Sequence, residues 1–215
     1  MFYVNTAMFF KSALFFCFCY LSSSAWSFAT ARPSKEVFSK AFGERRSEWA
    51  LRLFEKYSNR SKKYNKEFFV FVDYKRHVSK RRFYIVNPNS GKALGYRTTH
   101  GYGSDRNKDG FVDKVSNISC SGASSEGVFL TMGLRPSDKF GKTVHLRGLT
   151  KSNSRANSRL LRVHPAKDKH GKDYLSMGKP SGGCFALNIR LASEVMKTLS
   201  AKPTIIIATF SDNIR

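Results

Sequence analysis

Negative charge is scarce in this chain. Fifteen Asp+Glu stand against 38 Lys+Arg, a formal net charge of +23. A field of that sign favours polyanionic neighbours: nucleic acid, anionic lipid or an acidic cell-wall polymer. Cysteine is scarce as well, with Cys17, Cys19, Cys120 and Cys184 the only four in 215 residues, too few for a disulfide-dense scaffold. The five histidines (77, 100, 145, 164 and 170) show no paired ligand spacing with the cysteines, so no zinc pattern emerges. No internal repeat is present. The apolar run ALFFCFCYL (13–21) is short of the roughly 20 residues that a membrane-crossing helix needs.

What is present begins with that run. Residues 1–29 carry a single charge, Lys11, then the apolar stretch, then small residues at Ser27-Phe28-Ala29. A positive n-region, a compact h-region and a small-x-small cut read as a signal peptide. Cleavage would remove Cys17 and Cys19 and leave the chain at +22, exported to a periplasm or cell wall. In an oxidising compartment Cys120 and Cys184 have three fates open: one bridge, two inert thiols, or one reactive thiol.

The remainder, 41% hydrophobic and 14% aromatic, is long enough for one domain with a real core. Residues 30–63 read as an N-terminal helical extension of two short helices. Ser34 caps the first, Gly43 interrupts, and Trp49, Ala50, Leu53, Phe54 and Tyr57 recur at helical spacing. From residue 64 to 215 the texture is that of strands: 68–74, 82–87 with a partner after the NPNSG turn, 127–133, 143–149, 159–164 and 204–210. Only 191–200 reads as a late helix. The expected class is mostly β, a sandwich or barrel.

GKPSGGCFAL (178–187) sets Cys184 behind a serine and two glycines, with His164 closing the segment RLLRVH twenty residues upstream. A cysteine nucleophile needs a base or cation to populate its thiolate and donors for the oxyanion. His164 can be the base, Ser181 can bond the imidazole or a substrate amide, and Gly182 and Gly183 let the backbone turn so that the Gly183 and Cys184 amides face an oxyanion. A small buried thiol would also fit this sequence.

The blocks VHPA (163–166) and SGGCFAL (181–187) resemble the His…Ser-x-Gly-Cys motif of the L,D-transpeptidase (YkuD-type) family, in its murein L,D-transpeptidase catalytic domain branch. THGYGSD (99–105), SNISCSGASSEGVFLTMG (116–133) and LRGL (146–149) are similar to further blocks of that branch, in the same order, over roughly 66–211. The resemblance implies a β-sandwich-like fold and a thioester acyl-enzyme on Cys184, with His164 as base and Gly183 and Cys184 giving oxyanion amides. It implies peptidoglycan stem peptides as substrate, contacted by Gly182, His100 and Phe185. Pro165, where the family usually has glycine, and Ala186, where many members have arginine, depart from the pattern.

Other readings are weaker. Asp105, Asn107, Asp109, Gly110 and Asp113 follow the order of a calcium loop, but Ser116 replaces the bidentate glutamate, so a polar Asx-rich turn is expected and no cofactor. Cys120 lacks the helix-start context of a papain-like nucleophile. Export argues against nucleic acid as partner and for an anionic cell-envelope polymer. The non-enzymatic alternative is a basic exported binding module, for such a polymer or nucleic acid, with a Cys120–Cys184 disulfide.

Overall fold

The computed structural model describes residues 35–167, 170–175 and 179–211. The segment read as a signal peptide, with Cys17 and Cys19, and the Ser34 cap lie outside the described residues. Among the described residues no helix is long and apolar enough to cross a membrane.

Helices α1 (Lys35–Phe42) and α2 (Glu44–Ser58) form on either side of Gly43. Its φ of 81° is a left-handed conformation that ends one helix before the next begins. Along α2 the buried residues Ser47, Ala50, Phe54, Tyr57 and Ser58 recur every three to four positions, one stripe of a helix.

Eight strands follow: β1 (Phe69–Asp73), β2 (Phe83–Val86), β3 (Ala93–Tyr96), β4 (Gly127–Ser137), β5 (Gly141–Gly148), β6 (Arg162–Pro165), β7 (Phe185–Leu187) and β8 (Ile205–Thr209). Helix α3 (Ile189–Ala201) lies between the last two and is capped by Asn188, whose side chain accepts from the Arg190 amide at 3.0 Å. The strands make one sheet in the order β3-β2-β1-β8-β4-β5-β6-β7, parallel at β1–β8 and β6–β7 and antiparallel elsewhere. The mostly-β expectation holds.

Two strand boundaries differ from those read in the sequence. RLLRVH enters the sheet only at Arg162, because Leu160 has a left-handed φ of 56°, which an extended strand cannot contain. The catalytic-looking motif itself contains a strand, β7, too short for its period to be read.

Alternation along the strands divides the core in two. Phe69, Phe71, Tyr84, Val86, Val128, Leu130, Ile205 and Ile207 pack with Phe38, Phe42, Ala50, Phe54 and Tyr57 of α1 and α2. Val70, Val72, Phe83, Ile85, Phe129, Val144, Leu146, Val163, Phe185 and Leu187 meet α3 on the other side. That second set draws on both ends of the sheet. Thr98, beyond β3, bridges Leu187, and Gly101 bridges Ser181, so the chain leaving one edge strand reaches the other edge of the sheet. The segment after β3 is thereby laid against the cysteine loop.

The N-terminal helices are integral to one of these cores. Phe54 is buried and its ring stacks on Phe69 at 4.9 Å. Phe54→Ala is expected to lower stability by about 3–5 kcal/mol, read as a shifted urea midpoint with an unchanged slope.

Candidate active site

The cysteine loop is held by Ser181. Its amide donates to His100 O at 2.8 Å, and its carbonyl accepts from Tyr102 N at 2.9 Å. Its hydroxyl accepts from Gly183 N at 3.1 Å and lies 2.8 Å from Cys184 O, to which it donates. Ser181 therefore fixes the loop through backbone groups and does not reach the His164 imidazole. The Gly183 amide, expected to face an oxyanion, is turned to Ser181 Oγ instead. The amides of Gly182 and Cys184 have no hydrogen-bond partner among the described residues.

Gly183 is required by both its conformation and its surroundings. Its φ is +111°, and a Cβ there would sit 2.6 Å from Ala123 O. That carbonyl is itself clamped. Arg159 donates to Ala123 O at 2.6 Å, to Ser116 O at 2.6 Å and to Ser125 Oγ at 2.5 Å. One guanidinium thus holds the Ser/Gly-rich segment 116–125 against the loop.

Cys184 is half-buried at the rim of the core. Its thiol donates to Leu160 O at 3.6 Å, the carbonyl of the left-handed residue before β6. Burial pushes its pKa up, against the opposing pull of Arg162, Arg159 and Lys139. Cys184 and Cys120 are both free thiols, which corrects the alternative of a Cys120–Cys184 bridge. Cys120 sits exposed on a separate turn at a left-handed φ of 60°.

His164 stands on β6, next to β7, in register with Ala186. Its Nδ1 lies 2.8 Å from Pro165 O. A carbonyl can only accept, so Nδ1 carries the proton and Nε2 keeps its lone pair. Phe140, from the β4–β5 hairpin, stacks on the imidazole with ring centroids 3.8 Å apart. Burial lowers the His164 pKa to about 4, so the ring is neutral at pH 7. No hydrogen bond joins His164 to Cys184 among the described residues. His164 pairs with Ala186 across the β6–β7 ladder, and Cys184 stands two residues before Ala186, just ahead of β7.

His100 and Phe185 are placed differently from the sequence expectation. Phe185 is 1% exposed and packs on Tyr74, Phe83 and Phe129. Strand alternation turns it inward, which corrects its assignment as a substrate contact. The His100 ring is used on both sides, accepting at Nδ1 from Arg82 at 3.0 Å and donating from Nε2 to Asp105 Oδ2 at 3.0 Å. Its carbonyl, not its ring, touches the cysteine loop. Burial and Arg82 lower its pKa to about 4.

Asp105 opens the loop that follows the order of a calcium site. Its oxygens accept from the amides of Asp109 and Gly110 at 3.1 and 3.0 Å, and Asp109 accepts from Phe111 N at 2.8 Å. The carboxylates of Asp105 and Asp109, with Asn107 bonded to Asp109, therefore close an Asx-type turn. No cluster of metal-ligating side chains occurs among the described residues.

Residues that carry the site's geometry escaped the sequence reading. Arg159 and Arg162 flank the LL of RLLRVH, and a strand period starting at Arg162 would have set Arg162 and His164 on one face. Arg82 had no local signal.

Residues 40–208 match the family model for the L,D-transpeptidase catalytic domain. Among solved structures, L,D-transpeptidase 1 of Mycobacterium tuberculosis is similar at 12% identity, with a TM-score of 0.37, over 66% of this chain and 61% of that one. The chain thus spans less than two thirds of that protein. No curated protein matches it.

Both buried histidines link stability to pH. Their folded pKa of about 4 lies below the ordinary 6.5, so unfolding takes up protons between these values. Stability is full above pH 6.5 and falls as pH drops toward 4, by about 3 kcal/mol per group. Urea midpoints should decline through this window, and His164→Phe should flatten the slope.

Proposed function

Because the chain belongs to the L,D-transpeptidase catalytic domain family, we propose that it is an exported, cysteine-dependent peptidoglycan L,D-transpeptidase. The observation that carries this reading is the His164 ring, neutral and with its proton fixed on Nδ1 by Pro165 O. Nε2 is thereby the nitrogen free to take a proton, beside a strand that directly follows a half-buried cysteine.

In this reading the Cys184 thiol passes its proton to His164 Nε2 as sulfur attacks the carbonyl of the L,D-configured stem-peptide bond. The amides of Gly182 and Cys184 receive the oxyanion, a stabilisation worth about 3 kcal/mol per donor. Collapse of the intermediate expels the terminal D-amino acid, protonated by His164, and leaves a thioester on Cys184. An amine of a second stem, or water, then attacks the thioester, giving crosslinking and exchange or trimming.

The basic surface serves attachment. A cavity of about 740 Å³ is lined by Arg106, Lys108 and Lys179 together with Asp105 and Tyr102. With the net charge of +23, these cations suit retention on an anionic envelope polymer of the periplasm or cell wall.

The test is intact mass after incubation with a carbapenem, whose strained lactam is an acyl donor. One adduct is expected on the wild type and none on Cys184→Ala, and an adduct that persists in the variant overturns the nucleophile assignment. His164→Ala should slow D-amino acid release from tetrapeptide stems by at least about 100-fold, with the fold retained by circular dichroism. Equal rates would remove His164 as base.

A further inference from the structure

On the face of β5 and β6 turned away from Val144, Leu146 and Val163, a group of polar side chains lacks partners. The register pairs His145 with Arg162 and Val144 with Val163. Thr143 thus stands one step further along the ladder, level with His164. Arg162 Nε, His145 Nε2 and Thr143 Oγ1 are buried, and none has a hydrogen-bond partner among the described residues. These are three of only seven such side-chain atoms among the described residues, and they occupy adjacent positions on two paired strands. Leaving a buried donor unpaired costs about 1–3 kcal/mol, more for a charged group, so a concentration of them signals a missing acceptor.

The cluster adjoins the thiol. Val163 pairs with Phe185 across the parallel β6–β7 ladder, so Arg162 and Cys184, each one residue earlier, lie level. Arg162 favours the Cys184 thiolate, against the larger effect of burial. A guanidinium N–H, a hydroxyl and an imidazole nitrogen that donates in its Nε2–H tautomer match an anion with several lone pairs; a carboxylate is the smallest organic group of that kind.

We propose that Thr143, His145 and Arg162 form a carboxylate subsite, which takes an acidic group of the acyl donor and sets its scissile carbonyl at Cys184. This rests on the acyl-transfer reading of Cys184 and assigns its specificity to Arg162. The chain has Ala186, with no charge to offer, two residues after the cysteine. Arg162 supplies a cation from the neighbouring strand instead.

The subsite can be tested without the natural substrate. Iodoacetate and iodoacetamide both alkylate a thiol, with sulfur displacing iodide and the thiol proton released, but only iodoacetate carries a carboxylate. Their rates at Cys184 are measured at pH 9 on the full chain, read on the Cys184 peptide by mass spectrometry. Arg162→Gln is expected to lower the iodoacetate-to-iodoacetamide ratio by about tenfold, the scale of one charge-assisted hydrogen bond. Arg162→Lys should recover part of it. Arg135→Gln removes a charge beside Thr143, its partner across β4–β5, and should leave the ratio within about twofold.

An equal fall in Arg135→Gln would mean a general field rather than a subsite and would overturn the proposal, as would an unchanged ratio in Arg162→Gln. Should Arg162→Gln fail to fold, the wild type decides. Acetate should slow iodoacetamide at Cys184 while chloride at equal ionic strength does not, and equal effects overturn the subsite. Alkylation by neither reagent also overturns it, since the thiol would then have no room for a carboxylate beside it. Failure of the enzyme reading is seen separately, as absence of the carbapenem adduct.

Discussion

A buried guanidinium organises this molecule. Arg82 is 0% exposed, and a buried cation is tolerated only when its donors are met. Nε donates to Thr98 O at 2.9 Å, one terminal nitrogen to Arg76 O at 3.1 Å, and the other to His100 Nδ1 at 3.0 Å. Burial still lowers its pKa to about 10, well above neutral pH. Each acceptor has a structural consequence. Thr98 is the residue that bridges the far edge of the sheet, and Arg76 lies in the β1–β2 connection. By taking a hydrogen bond on Nδ1, His100 is forced to carry its proton on Nε2, which goes to Asp105 and anchors the turn beyond it. The His100 carbonyl then holds Ser181. Two hydrogen bonds, through His100, therefore link a core cation to the loop that carries Cys184.

A second guanidinium completes the frame from the other side. Arg159 gathers carbonyls and hydroxyls of 116–125, and the Ala123 carbonyl it holds is the group against which Gly183 is pressed. The loop is pinned between a segment tied to Arg82 and a segment tied to Arg159. The bridges made by Thr98 and Gly101 bring these segments together. The site thus depends on long-range contacts and not only on the local SGGC sequence.

This explains what could be read in advance. The β1 and β8 runs FVFVD and IIIAT are buried at every position, and such continuous apolar stretches announce central strands. The spacing of Ala50, Phe54 and Tyr57 announced α2. Cys184 and His164 stood out as candidates because reactive residue types occur there in a glycine-rich context. Arg82, Arg159 and Arg162 were not. In a chain with 38 Lys+Arg, no local signal separates a buried arginine from a solvated one, since the difference lies in acceptors supplied from distant segments. Phe185 was misread because its neighbour is Cys184, whereas a three-residue strand decides which way it points. The Gly183 amide was misassigned for a similar reason: its direction follows from a φ of +111°, which glycine permits but does not dictate.

The electrostatics at the thiol separate two ways of running cysteine chemistry. One is a standing thiolate–imidazolium pair; the other is a neutral pair that transfers its proton during attack. Three cations, Arg162, Arg159 and Lys139, favour the Cys184 thiolate, yet burial outweighs them and the net pKa shift is upward. The thiol donates to Leu160 O, as only a protonated sulfur can. His164 is shifted the other way, by burial, and Phe140 covers its ring. Each group is therefore held in its neutral form, because burial outweighs the cations around the sulfur and the Pro165 carbonyl at the imidazole. In the proposed acyl transfer, charge separation is created during attack, when the incoming carbonyl oxygen meets the free amides of Gly182 and Cys184. Under that proposal the nucleophile is protected in the resting state and its activation is tied to occupancy. The cations around the sulfur then act on the developing negative charge rather than on the resting thiol.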